Sequence, residues 1–155
     1  MANIESLMVT EMVTAHPDET VAEVARRMSA NKIGAVLVVE DGVLCGLFSE
    51  RDLLTRVVAD MRNPQTTRVG QVATKDVVSI GPQTHVKTVL EIFREKKVRH
   101  LPVVDQNKPV GILSTRDFLE YLVGGLESYI DDLRYKRELS EGIDPYDHIG
   151  GSYGR

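Results

Sequence analysis

GLFSERD at residues 46–52 and GILSTRD at residues 111–117 hold glycine, serine, arginine and aspartate in one register, 65 residues apart. Laying residues 7–54 on residues 72–119 without a gap extends the match. It pairs Val13 with Val78, Pro17 with Pro82, Val21 with Val86, Val24 with Val89, Lys32 with Lys97, Val38 with Val103 and Leu54 with Leu119. A register kept across a whole unit is an internal repeat, and the repeat organises the chain.

Each unit reads alike. A short apolar piece (Met12 to Thr14; Val77 to Ile80) runs into a proline, and apolar residues then recur at helical spacing: Val21, Val24, Ala25 and Met28, or Val86, Val89, Leu90 and Phe93. Two runs rich in β-branched residues follow, AVLVVE and VLCGLFS in one copy, LPVVD and PVGILS in the other. Asp41-Gly42 is a strong hairpin turn, because glycine tolerates positive φ; Asn107 supplies the same freedom less well. A second helix is expected after each serine. The predicted fold is α/β: two β-α-β-β-α units related by pseudo-twofold symmetry, plus a C-terminal helix. A unit of this size buries little surface alone, so the two should pack strand face to strand face. The expected boundaries are a first unit over 1–60, a polar linker over 61–68 carrying Asn63-Pro64, a second unit over 69–124, a helix over 125–141 and a flexible tail over 142–155. The helix is placed after Gly124-Gly125 by the stripe Leu126, Tyr129, Ile130 and Leu133.

The 155 residues carry a net charge of −4 with no run of lysine and arginine, so nucleic-acid and membrane-surface roles lack electrostatic support. No apolar segment approaches the roughly 20 residues that span a bilayer, and the N-terminal stretch lacks a signal-peptide pattern. A cytoplasmic location is expected. The one cysteine, Cys45, lies in the apolar run VLCGLF and reads as a small buried hydrophobe. His16, His85, His100 and His148 have no metal-ligand spacing, and no nucleophile motif or P-loop occurs, so neither a metal site nor an enzyme is expected.

The repeated S-x-x-D supports two readings. It is a capping box, in which the serine caps a helix and the aspartate bonds back to the serine amide. The same geometry suits a ligand: a serine at a helix start can meet phosphate, and a carboxylate that would repel phosphate can accept from the paired hydroxyls of a ribose.

The pattern glycine, two apolar residues, serine, two residues, aspartate, preceded by VLVVED or HLPVVD and occurring twice, resembles the CBS-domain family, whose tandem pair is a Bateman module. The resemblance covers roughly residues 7 to 123. It implies a stand-alone regulatory module that binds adenosyl compounds, AMP, ADP, ATP, S-adenosylmethionine or NAD, in two clefts between the paired domains, with no cofactor required. By matched position it implies that Asp52 and Asp117 hold ribose hydroxyls. Ser49 and Ser114 would bind phosphate with help from Arg51 and Arg116, a solvated first-turn arginine being the equal alternative for those two. Thr14 and Ser79 would line the base pockets, with Gly34 and Ala35 in one copy and Arg99 and His100 in the other. Arg99 and His100 add donors suited to several phosphates where Gly34 and Ala35 offer space and backbone, so unequal sites are expected. His100 gains charge below neutral pH and would then hold phosphate more tightly.

The rival reading is a ligand-independent dimeric interaction module. Leu54, Val57, Val58 and Leu119, Leu122, Val123 give the second helices more apolar surface than one chain hides, so a homodimer is expected. The signal would pass to a separate, unidentified protein.

Overall fold

The computed structural model describes residues 4–142. The chain divides into two compact units, Met1–Thr115 and Arg116–Arg155.

The first unit holds nearly all of both repeats. Helix α1 (Val21–Asn31) begins at a capping box, with the Thr20 side chain accepting from the Glu23 amide and Glu23 accepting from the Thr20 amide. It ends at Lys32, in the left-handed region at φ 53°. Its buried face is Val21, Val24 and Met28. Strands β2 (Ala35–Glu40) and β3 (Val43–Ser49) form an antiparallel hairpin, which β1 (Thr14–Ala15) joins in parallel along β2. The second copy repeats this with α4 (Val86–Lys96), ended by Lys97 at φ 53°, and the hairpin β4 (His100–Asp105) and β5 (Lys108–Ser114). Both hairpins turn on two positive-φ residues, Asp41 and Gly42 in one and Gln106 and Asn107 in the other. That is the turn whose twist matches paired strands. Both also slip register one residue past the middle of the first strand, at Val38/Val39 and Val103/Val104.

The copies are joined by exchanged segments. Thr74 pairs with Leu47 of β3, its amide and carbonyl at 2.8 and 2.9 Å, and at the matched place Val9 pairs with Ile112 of β5 at 2.9 and 3.0 Å. The stretch that opens each copy is thus laid on the last strand of the other. Gly46 and Gly111 lie beneath these crossings. A Cβ on Gly46 would stand 3.1 Å from the Thr74 carbonyl, and one on Gly111 would stand 2.7 Å from the Met8 sulfur. The glycine in the repeated motif is the space the crossing segment needs.

This exchange extends to the core. The short helix α3 (Val69–Val72) precedes Thr74, and Val69, Val72 and Ala73 are packed with Val21, Val24, Met28, Val36, Val38 and Phe48 of the first copy. At the matched place Ile4, in a turn of 3-10 helix (Ile4–Ser6), is fully buried. The linker is exposed from Met61 to Thr66, but Thr67 is buried and its carbonyl accepts from the Val21 amide at 2.9 Å. The opening of α1 is therefore tied to the end of the linker.

Three expectations change. Cys45 stands on the exposed side of β3, its thiol donating to the Val38 carbonyl at 3.3 Å, because strand alternation gives Gly46 and Phe48 to the core. The helix after Ser49 starts as α2 (Glu50–Asp52) and continues as a π-helix, Leu53–Val58, which turns Val57 inward while Leu54 and Val58 stay exposed. In the second unit, α5 (Thr115–Ser140) runs unbroken through Gly124-Gly125, where a boundary was expected. Each glycine costs a helix interior only about 1 kcal/mol against alanine, and the rest of a 26-residue helix carries the cost of the pair. Beyond Gly142, the tail expected over 142–155 lies outside the described residues.

Candidate functional site

A cavity of about 220 Å³ opens in the first unit where the repeated motif of the first copy meets the entry strands of the second. The first copy contributes Gly34, just ahead of β2, and Ser49, Glu50, Arg51 and Asp52, at the end of β3 and the start of α2. The second copy contributes the extended stretch with Thr74, Asp76, Val77 and Val78, and then Lys97 to His100 where α4 gives way to β4. The left-handed backbone of Lys97 turns the chain sharply from helix to strand at this wall.

Asp52 is the most constrained group there, at 7% exposure. Its Oδ2 accepts from the Ser49 amide at 2.9 Å and the Ser49 hydroxyl at 3.0 Å, while the Ser49 Oγ accepts from the Asp52 amide at 3.3 Å. The capping box read from the sequence is formed. Oδ1 accepts from the Thr74 hydroxyl at 3.3 Å and faces Arg56 Nε at 3.5 Å. Arg56 also donates to the Ala73 carbonyl at 3.2 Å. The carboxylate therefore fastens α2 to the exchanged segment as well as capping the helix. A carboxylate has about four acceptor positions, and these four contacts occupy them, the 3.5 Å approach of Arg56 to Oδ1 being the longest.

Of the residues singled out from the sequence, Gly34, Ser49, Arg51, Asp52, Arg99 and His100 line this one cavity. Gly34 and Arg99, assigned to different copies, thus share a wall. Ala35 does not line it; it is buried in β2. Neither do Thr14 and Ser79. Thr14 is exposed, and its carbonyl accepts from Arg27 at 2.7 Å. Ser79 is exposed just before the bridge from Ile80 to Val103. Ser114 closes β5, while Arg116 and Asp117 lie in the first turn of α5, where Arg116 pairs with Glu120 at 3.3 Å.

Sequence reasoning passed over Glu50, Thr74, Asp76 and Lys97. The repeat register already matched Lys97 with Lys32, so its place at a helix end was readable. Thr74 was not, because its contact with Asp52 depends on segment exchange between copies. Arg27, beside Thr14, pairs with Glu19, and its hydrogen bond holds the Glu19 carboxyl below its ordinary value against the opposing effect of burial. Burial pushes the Cys45 thiol up, so that side chain makes a poor nucleophile.

Two matched α/β copies that exchange their opening segments around a shared cleft define a paired module. The family model of the CBS domain matches residues 4–59 and again residues 69–124. The chain belongs to the CBS-domain family, as a tandem pair. It is 35% identical over 117 residues to the CBS domain-containing protein YhcV of Bacillus subtilis, covering 76% of this chain and 83% of the relative. The crystal structure of the CBS-domain containing protein ATU1752 from Agrobacterium tumefaciens is similar at a TM-score of 0.71 and 31% identity, over 77% of this chain and 98% of that one. The CBS domain pair of protein MJ0100, solved with 5'-methylthioadenosine and S-adenosyl-L-methionine, shares the fold at a TM-score of 0.71 and 20% identity, over 81% and 98% of the two chains. CBS pairs are in general regulatory and signal-transduction modules rather than enzymes. Among the described residues no helix is long and apolar enough to cross a membrane.

Proposed function

We propose that this chain is a sensor of an adenosyl ligand, AMP, ADP, ATP, NAD or S-adenosylmethionine, and signals to a separate protein as a cytoplasmic homodimer. The observation that carries the reading is the cavity that gathers Ser49, Arg51 and Asp52 from one copy with Lys97, Arg99 and His100 from the other. Such a ligand touches both copies, and it shifts their arrangement to the extent that it binds one arrangement better than another. In this reading a ribose hydroxyl takes the place of the 3.5 Å Arg56 contact on Oδ1 of Asp52. Ser49, Arg51 and Arg99 meet the phosphate end, and Val77 and Val78 give the base an apolar wall. The adenosyl compounds held by the MJ0100 pair support the ligand class.

One observation favours the rival, a ligand-independent dimeric module: Asp52 already has protein partners on both oxygens. A thermal-shift panel of AMP, ADP, ATP, NAD, S-adenosylmethionine and GTP separates the two. A ligand at about 100 times its Kd adds roughly 2.7 kcal/mol of stability. A rise with an adenosyl compound and none with GTP is expected. A flat panel on nucleotide-free protein returns the aspartate to its capping role.

A further inference from the structure

Glu50 lies inside the repeated motif at a position the two copies do not share. Thr115 stands at its matched place, and Arg99 stands where the first copy has Gly34. The backbone is the same in both: the Glu50 amide donates to the Gly34 carbonyl at 2.9 Å, and the Thr115 amide to the Arg99 carbonyl at 2.9 Å. Across that bond the side chains have traded size and charge. The missing side chain of Gly34 makes room for the Glu50 carboxylate, whose carbon and oxygens lie 3.3 to 3.5 Å from where a Cβ would stand. The acid therefore folds back over the entry to β2, in the wall that also carries Ser49 and Arg51.

The charges of that wall then decide what it accepts. Glu50, Asp52 and Asp76 stand against Arg51, Lys97 and Arg99, and Arg56, paired with Asp52, leaves the permanent cations an excess of only one over the carboxylates. A triphosphate brings several negative charges to a wall that cannot neutralise them. A monophosphate brings about two at most, and a nucleoside none.

We infer that Glu50 sets the charge of the ligand, so that this cleft takes an adenosyl compound with no more than one phosphate and discriminates against polyphosphates. The inference rests on the adenosyl reading above. Titration calorimetry with AMP and with ATP, in magnesium-free buffer, tests it on the full chain and on Glu50→Gln, which keeps the shape and removes the charge. Glu50→Thr, which installs the residue of the second copy, serves as a second variant. The ratio of ATP to AMP affinity is expected to rise roughly tenfold in each variant, and the gain to shrink at high salt. A merely structural role would move both nucleotides together, so a ratio that stays unchanged in both variants overturns the assignment. If neither nucleotide nor adenosine binds any of the three proteins, the adenosyl reading itself falls and takes this one with it.

Discussion

Asp52 shows how much one side chain is asked to do. It caps α2 through Ser49, receives the Thr74 hydroxyl and faces Arg56, all while 7% exposed. Removing it deletes the half of the capping box in which the Ser49 amide donates to the carboxylate, a hydrogen bond worth about 1 kcal/mol, and leaves Thr74 and Arg56 without that acceptor. Asp52→Ala is therefore expected to lower stability by about 2–3 kcal/mol in urea unfolding and to abolish nucleotide binding. A loss under about 0.5 kcal/mol would mean that the carboxylate holds nothing together. Glu19 makes a second residue-scale prediction. The hydrogen bond from Arg27 is the largest of the influences that hold its carboxyl below 4.5, assisted by the His16 amide. A pKa lowered by folding adds stability above the unfolded value, and that stability is lost as pH falls through the folded one. The midpoint advantage of the native chain over Glu19→Gln should be full near pH 6 and fade as pH drops below about 4.5 toward 3. An advantage that does not change across this range would contradict the pairing. The identity of Asp52 was legible from S-x-x-D alone. Its contact with Thr74 was not, because 22 residues and an exchange of segments separate the two.

At the scale of elements, the hairpins and first helices follow from local signals: the β-branched apolar run AVLVVE, the Asp41-Gly42 turn, and helical spacing from Val21 to Met28. The exchanged segments do not, since nothing in the stretch around Val9 or Thr74 names a partner strand in the other copy. What can be read is the hole they need. Gly46 and Gly111 are repeated because another backbone crosses above each, and the crossings differ in stiffness. Over Gly46 the nearest atom is the Thr74 carbonyl oxygen at 3.1 Å, backbone engaged with Leu47; over Gly111 it is the sulfur of Met8 at 2.7 Å, on a side chain with rotamers to spare. Gly46→Ala should cost about 1–3 kcal/mol, the usual range for overpacking, and Gly111→Ala should cost less. Equal losses in denaturant unfolding would show that the methionine cannot move aside. The unbroken α5 was hidden for the opposite reason: Gly124-Gly125 reads as a break, yet a Cβ at either position would meet nothing within 4 Å and neither needs positive φ.

For the whole molecule, the open question is what covers the apolar surface that the fold leaves in water. On α5, Leu119, Leu122, Leu126, Tyr129, Ile130 and Leu133 are 40 to 60% exposed, at spacings of three and four that keep them on one side of a helix about 39 Å long. Ion pairs Arg134–Glu138 and Lys136–Asp132 bind charged neighbours to one another along the same helix. Leu54 and Val58, each 62% exposed, repeat the pattern on the first copy. Apolar stripes of this extent are uncommon on a monomer in water. Sedimentation equilibrium at tens of micromolar should therefore return a dimer for the native chain. Leu126→Glu with Ile130→Glu should return a monomer if α5 supplies the seam, whereas Leu54→Glu with Val58→Glu should do so if the first copy supplies it. A native chain that sediments as a monomer would place both stripes in water and remove self-association from the account. Because ligand binding can then act on two copies at once, the dimeric protein should also show whether the nucleotide shifts the association equilibrium. A nucleotide that binds both association states equally would shift nothing.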